Sequence, residues 1–457
     1  MNYTIDNANK YIKEQVNKVN PKYRLKYHMM PPVGWMNDPN GCVKFNDNYH
    51  VFYQYYPYDA KWGPMHWGHF VSKDFIKYTD VEVALAPDQE LESGCWSGGA
   101  IAQGEQLHLV YTRHYEVDGF KTQNQYIARS SDSINFTKDL KPCFDNNTLP
   151  EDIDRHDFRD PYPLYINGTH YLLVAGKLKT NEGILIVLKG DTPDNLSYHF
   201  HIGPFYEMGV MCECPSYFNV DGVDILLASG CQVKEKDNSY KNANSTYYMA
   251  GHIDFENKKF DCIKISEIDK GDSFYASQFV NSADKPIMVT WMEMWEKKYP
   301  TVEQGHNWIG ALTIPRVLSW KNNTLYQSPI DEIKNYYVNS YEYNGGCISK
   351  VSDITILANN NFKIEFEAVN GKFVIGQNEN GVYLDTNGSN SLNDCMRHTD
   401  SYYEDCKIRV LFDTSSIEMF INDGVETITS RIYLDSDYKL NISGSVKSIY
   451  VNEIEVK

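Results

Sequence analysis

The chain is poor in helical periodicity, in basic residues and in long apolar runs, and each shortage excludes something. Its 457 residues hold 43 Lys and Arg against 61 Asp and Glu, a formal net charge of −18. Nucleic acid and anionic membrane surfaces both demand a surplus of cations, so neither is an expected partner. A neutral ligand fits better, or an anion held by a small local basic pocket. No apolar run approaches the roughly 18 residues of a membrane span. No secretory leader is visible in residues 1–20. There Ile5, Ala8, Ile12, Val16 and Val19 fall at helical spacing and predict a short amphipathic helix lying on the body. The ten cysteines form no framework, so reduced thiols in a cytoplasmic protein are expected.

Aromatic residues are plentiful: 14% of the chain, with 35 tyrosines and 8 tryptophans. Such a surplus suits β-structure, where rings fill sheet surfaces. It also suits sugar binding, where flat rings stack on the apolar faces of pyranose or furanose units. The length predicts more than one core.

After residue 20 the chain reads as short strand-like runs separated by Gly, Asn and Asp clusters. Runs at 49–55, 107–112, 171–175, 225–229 and 287–291 each follow a distinctive polar station by about a dozen residues. The stations are Asp38, Trp96-Ser97-Gly98, Arg159-Asp160-Pro161, Glu213-Cys214-Pro215 and Asp272-Ser273-Phe274-Tyr275. Measured at positions 38, 96, 160, 213 and 274, the steps are 58, 64, 53 and 61 residues. An all-β repeat of that length is the mark of propeller blades of four strands each, and five stations predict five blades. Inner strands of a propeller face one axis, so Asp38, Asp160 and Glu213 are expected to meet there.

The expected layout is an all-β chain in four parts. Residues 1–23 form a helical extension and 24–324 a five-bladed propeller. Residues 325–339 form a linker and 340–457 an antiparallel β-sandwich. Alternating runs at 362–368, 407–412 and 417–421 support the sandwich. Its acidic stretch Asp413-Thr414-Ser415-Ser416-Ile417-Glu418 reads as a hairpin turn entering a strand. No chemical constellation is visible in this part, so a structural or rim-shaping role is expected.

Trp35-Met36-Asn37-Asp38-Pro39-Asn40-Gly41 sets a carboxylate between two carboxamides on a turn stiffened by proline and glycine. The composition alone describes a β-turn. A carboxylate held so rigidly also meets the demand on a nucleophile. Three acids at one axis push their pKa values apart, as glycoside hydrolysis requires: one attacks, another donates a proton. Arg159, directly before Asp160, is expected to keep Asp160 ionised. Glu213 lies among Met211, Cys212, Cys214 and Pro215, and desolvation there is expected to raise its pKa, which suits a general acid.

These residues resemble glycoside hydrolase family 32, the β-fructofuranosidases: invertases, sucrose-6-phosphate hydrolases, inulinases and levanases. The resemblance runs from about residue 24 to the C-terminal end. It rests on the stations above, on Tyr53-Gln54-Tyr55, on residues 62–69 (Trp-Gly-Pro-Met-His-Trp-Gly-His) and on residues 308–316 (Trp-Ile-Gly-Ala-Leu-Thr-Ile-Pro-Arg). In the second domain it adds residues 413–420 and Thr429-Ser430-Arg431. It implies a retaining double displacement, with Asp38 as nucleophile, Glu213 as general acid/base and Asp160 as transition-state stabiliser. It further implies fructose contacts from Asn37, Gln54, Trp62, Ser97, Arg159 and Tyr275, with Trp96 and Trp291 lining the pocket. Neither a metal nor another cofactor is implied, and the metal-like spacing His66-X-X-His69 is assigned to a pocket loop. The implied partner is a small carbohydrate: sucrose, sucrose 6-phosphate or a short fructo-oligosaccharide. A transfructosylase using the same intermediate, or an inactive fructan-binding propeller, are the alternatives. A phosphorylated substrate would call for extra cations at the rim, and Lys61, His66, Arg155 and His156 stand near the motifs.

Overall fold

A computed structural model describes residues 2–393 and 395–457. Five four-stranded antiparallel units follow one another, each ordered from inside to outside. Their inner strands are Gly34–Phe45, Gly94–Gln103, Ile153–Ile166, Met211–Val220 and Tyr275–Phe279. We number these blades I to V. All five stations lie on or immediately before an inner strand, so the beat in the sequence is the beat of the blades.

Local chemistry dictates the hairpins. The turns Asn46-Asp47, Asn167-Gly168 and Asp221-Gly222, which lead from inner to second strand, have positive φ at both residues. Asn, Asp and Gly tolerate that conformation, and its twist matches a two-residue hairpin. Second strands such as Thr169–Leu178 and Val223–Cys231 run apolar and buried through their centres, because neighbouring blades cover both faces.

Blade V closes the ring. The Asn281 side-chain amide donates to Ala100 O in blade II (3.0 Å) and Pro163 O in blade III (2.9 Å). Its backbone N–H donates to Cys42 O in blade I at 2.8 Å. Trp308–Ile309 adds a parallel strand beside Gly34–Phe45.

The stretch expected as a linker, 325–339, is mostly ordered into its neighbours. Thr324–Pro329 pairs with Arg316–Lys321 as the outer strand of blade V. A 3-10 turn follows at Asp331–Tyr336, and Tyr337–Glu342 already pairs within the second domain. That domain is a sandwich made by two long bent strands, Val351–Ala368 and Tyr438–Ile454. On its free side the first strand pairs with Asp405–Asp413 through residues 351–359, then with Gly371–Asn378 through 362–368. The switch falls at Asn359-Asn360-Asn361, where Asn360 has φ +49°. Such a bend carries one strand from sheet to sheet. The N-terminal helix Ile5–Gln15, capped by Thr4, lies on blade I, with Ala8 buried and Asn9 Oδ1 accepting the Val83 N–H at 3.0 Å. Among the described residues no helix is long and apolar enough to cross a membrane.

A buried charged seam joins propeller to sandwich. The Arg316 guanidinium donates to Asp269 Oδ2 (3.0 Å) in the propeller and to Glu418 Oε2 (2.7 Å) and Thr429 Oγ1 (2.6 Å) in the sandwich. His28 bridges Asp413 (2.8 Å) and Glu418 (2.9 Å). The stretch 413–418 is the expected hairpin, with Asp413 opposite Ser416. It is also the anchor of the domain interface, which its local sequence did not reveal.

Candidate active site

Every inner strand carries a β-bulge at its station. The ladder slips between Met36 and Pro39, Trp96 and Gly98, Glu213 and Ser216, and Tyr275 and Gln278. In blade III the slip falls between Arg159 and Tyr162. A bulge leaves residues unpaired and re-aims their side chains. Asp160, Cys214 and Ala276 take positive φ there, at +61°, +50° and +58°. Their freed N–H groups find side-chain partners: Asp160 donates to Thr112 Oγ1 (2.9 Å), Cys214 to Asp160 Oδ2 (3.0 Å) and Ala276 to Ser229 Oγ (3.1 Å). These contacts hold a strained conformation in place.

The repeat sorts the site into two sets. Asp38, Ser97 and Asp160 lie within the bulges of blades I, II and III. Arg159, Glu213 and Tyr275 stand just ahead of the bulges of blades III, IV and V. Members of each set touch. Ser97 Oγ donates to Asp38 Oδ2 at 2.6 Å. Arg159 Nε and Nη2 donate to Glu213 Oε1 at 3.1 and 2.6 Å, and Tyr275 O–H donates to Glu213 Oε2 at 2.6 Å. The Cys214 sulfur lies 3.5 Å from Asp38 Oδ2 and 3.7 Å from Asp160 Oδ2, so one atom touches both carboxylates. The three acids expected at the axis do converge.

The pocket above them measures about 320 Å³ and is lined by Asn37, Asp38, Gln54, Trp62, Trp96, Ser97, Arg159, Asp160, Glu213 and Trp295. Asn37 Oδ1 accepts the Trp35 indole N–H at 2.8 Å, and the Gln54 amide donates to Cys95 O at 2.9 Å. Trp62 stands 49% exposed at the mouth, edge-on to Trp96. Tyr275 is buried and reaches the site only through its hydroxyl. Trp291 does not line the pocket. It pairs with Tyr275 from the second strand of blade V and sits fully buried behind Trp35 and Trp295. Its place is equivalent to Thr112 and Ser229, the supports of the bulges. Trp295, four residues on, takes the wall position instead.

Electrostatics reverse two expectations, the ionised Asp160 and the raised Glu213. Arg159 grips Glu213, not Asp160. Neighbours along a strand point to opposite faces, whereas Arg159 and Glu213 hold the same position in adjacent blades. Burial works to raise Glu213, but the Arg159 charge and the Tyr275 hydrogen bond outweigh it, and its pKa falls below the ordinary value. Burial raises Asp160 to about 7; the Arg159 charge opposes this and the Glu213 charge adds to it. Burial likewise raises Asp38 to about 6, against the Ser97 hydrogen bond. Asp38 Oδ1 has no hydrogen-bond partner among the described residues. The free site thus keeps Glu213 ionised and Asp160 as its most proton-retentive acid.

The His66-X-X-His69 pair lies in the strand His66–Ser72, not in a pocket loop. His66 Nδ1 faces Pro64 O at 2.8 Å and His69 Nε2 faces His50 Nδ1 at 3.0 Å. Among the described residues no group of three or more His, Cys, Asp or Glu could hold a metal ion.

Family models for the glycosyl hydrolases family 32 N-terminal domain and C-terminal domain match residues 28–329 and 349–457. The chain belongs to glycoside hydrolase family 32. It is 32% identical over 439 residues to a sucrose-6-phosphate hydrolase of Escherichia coli, covering 89% of this chain and 88% of that one. Among solved structures it is similar to a GH32 β-fructofuranosidase of Bombyx mori, at 30% identity and a TM-score of 0.88 over 99% of this chain and 98% of that one. It is also similar to a sucrose-6-phosphate hydrolase from Lactobacillus gasseri, at 25% identity and a TM-score of 0.89 over 98% and 96%. In this family 32 member the sequence reading missed Trp295, Thr112 and Ser229. Thr112 and Ser229 were visible as the ends of strand-like runs, each ending opposite a station residue.

Proposed function

We propose that the chain is a retaining β-fructofuranosidase. It removes terminal fructosyl units from small fructosides such as sucrose, sucrose 6-phosphate or short fructo-oligosaccharides. The convergence of Asp38, Asp160 and Glu213 on three inner strands carries this reading. In it the free Asp38 oxygen attacks the anomeric carbon, forming a C2–O bond as the bond to the leaving sugar breaks. Glu213 gives its proton to the leaving oxygen. Water then attacks C2, Glu213 takes back a proton, and Asp38 is released.

The geometry sets one condition on this scheme. Glu213 is ionised while Arg159 and Tyr275 hold it, so the acid must be armed by substrate. Sugar hydroxyls that engage Asp160 and draw Arg159 away both favour transfer of the site's proton to Glu213. Asp160, once ionised, faces the positive charge that develops on the fructosyl ring, where fixed charge is most effective. Binding energy is thereby used to set the protonation state rather than only to hold the sugar.

Asp38→Asn and Glu213→Gln are the test. Each is expected to lower turnover of sucrose by about 10³-fold or more, with far-UV circular dichroism unchanged. Acid quench of the Glu213→Gln protein with substrate is expected to leave a hexosyl adduct on the peptide carrying Asp38. Near-normal turnover by either purified variant overturns the assignment.

A further inference from the structure

The cations considered from the sequence for a phosphate site are poorly placed. Lys61 is exposed and paired with Asp59, His66 is buried, and Arg155 and His156 are exposed. A different group stands beside the catalytic acids. Asp157 lies two residues before Arg159, hence on the same face of the inner strand of blade III. Three cations converge on its carboxylate: Lys121 Nζ at 2.7 Å, Lys177 Nζ at 2.8 Å and Arg159 Nη1 at 3.1 Å. Lys121 comes from Phe120–Ser130 of blade II and Lys177 from Thr169–Leu178 of blade III.

We propose that Lys121 and Lys177, gathered by Asp157 beside Arg159, form a subsite for a phosphate monoester carried by the leaving sugar. The inference rests on the β-fructofuranosidase reading. Its first support is charge. The five groups Arg159, Lys121, Lys177, Asp157 and Glu213 comprise three cations and two carboxylates, in a chain whose net charge is −18. Glu116 stands opposite Lys121 in the strand ladder, but its carboxylate turns to His114 Nε2 at 3.4 Å. The second support is shelter. The side chains of Lys121, Asp157 and Lys177 are 30%, 22% and 19% exposed, so these are not freely solvated surface lysines. The third is position. Through Arg159 the cluster is bonded to Glu213, the group that must face the leaving oxygen in the proposed mechanism. A substituent on the leaving sugar therefore falls on this side of the funnel.

The chemistry fits a phosphate rather than a carboxylate of the protein. Each ammonium has three donors, and Asp157 takes one, leaving two per lysine. Two lysines with free donors match the several oxygens of a phosphate dianion. Asp157 fixes their direction, since an unheld lysine side chain loses rotamer freedom on binding.

The experiment compares kcat/KM for sucrose and sucrose 6-phosphate in the wild type and in Lys121→Met, Lys177→Met and the double variant. We expect the wild type to prefer the phosphorylated sugar. Each single change should lower kcat/KM for it by about 10-fold, as loss of one charge-assisted contact does, while kcat/KM for sucrose stays within about 3-fold. Inhibition of wild-type sucrose hydrolysis by glucose 6-phosphate should exceed that by glucose and weaken with added salt; this arm needs no variant to fold. Equal loss on both substrates, no preference in the wild type, or equal inhibition by the two sugars overturns the subsite and leaves the fructosidase reading intact. Failure of the wild type to hydrolyse either fructoside overturns both.

Discussion

Two clusters of buried charge dominate this molecule, and they are built on opposite plans. At the domain seam, Arg316 and His28 meet Asp269, Asp413 and Glu418 with each carboxylate multiply bonded. Asp413 alone accepts the backbone N–H groups of Lys26, Tyr27 and His28 and the His28 ring. At the funnel base, only Glu213 of the three carboxylates is paired with the arginine, and one oxygen of Asp38 has no partner among the described residues. Buried charge is tolerated when it is paired and hydrogen-bonded. The seam satisfies that rule at every carboxylate oxygen, with Arg316 Nε left unpartnered among the described residues, whereas the funnel departs from it at a carboxylate. What the funnel leaves unsatisfied is what a substrate can satisfy, so the difference separates a structural use of buried charge from a chemical one.

The largest effect is expected at the seam. Arg316→Met keeps an apolar stem between Phe274 and Phe420, whose rings lie 4.8 and 4.9 Å from the guanidinium carbon. It leaves Asp269 without its cation and Glu418 with His28 alone. Removing one partner of a buried pair destabilises by about 3–5 kcal/mol. A clear fall in melting temperature by scanning calorimetry is expected, without a matching change in the KM for sucrose of protein that remains folded. An unchanged melting temperature would show that the seam does not hold the two domains together.

The opposite sign is expected in the funnel. Asp38→Asn removes a carboxylate that burial pushes up to about 6, from an ordinary value of 3.8. A raised carboxylate destabilises the fold at pH values above the folded pKa, and this penalty vanishes below the unfolded one. The shift corresponds to about 3 kcal/mol. The variant should therefore melt above the wild type at pH 8 while being inactive, and the two should converge toward pH 4. A lower melting temperature at pH 8 would mean that Asp38 is held as favourably as the seam acids.

How far either cluster could be read beforehand depends on how local its cause is. Asp38, Asp160 and Glu213 were legible because each stands in a compact motif and the blade repeat brings equivalent positions to one axis. The partner of Arg159 was not, because it is decided by the bulge at Asp160 and by position in the neighbouring blade rather than by sequence adjacency. Trp291 was misplaced for a different reason. The family resemblance set it at the wall, and nothing in the run 287–291 tells that its indole packs behind Trp35 and Trp295. The seam was the least legible: Asp413 meets the Tyr27 backbone across 386 residues of chain, and nothing near either residue announces the other. Of the two long sandwich strands only residues 362–368 were legible as a run, since the bend at Asn360 cuts the alternation of the first.

The finest test asks whether the seam responds to pH through its one histidine. Burial alone would lower the His28 pKa, but its hydrogen bonds to Asp413 and Glu418 carry it above the ordinary value. Glu418 moves the other way: burial would raise it, yet Arg316 and His28 hold it low. A histidine whose pKa is raised on folding stabilises the fold fully below its unfolded value of about 6.5. That contribution is lost as pH rises through the folded value. His28→Gln keeps a hydrogen-bonding side chain and removes the titration. The wild type should therefore lose its stability advantage over the variant as pH climbs from 6 toward 9, in melts run at constant ionic strength. Parallel curves would place the seam's stability in its hydrogen bonds alone, with the imidazolium charge adding nothing. Convergence would establish that the seam, unlike the funnel, uses a proton for structure rather than for chemistry.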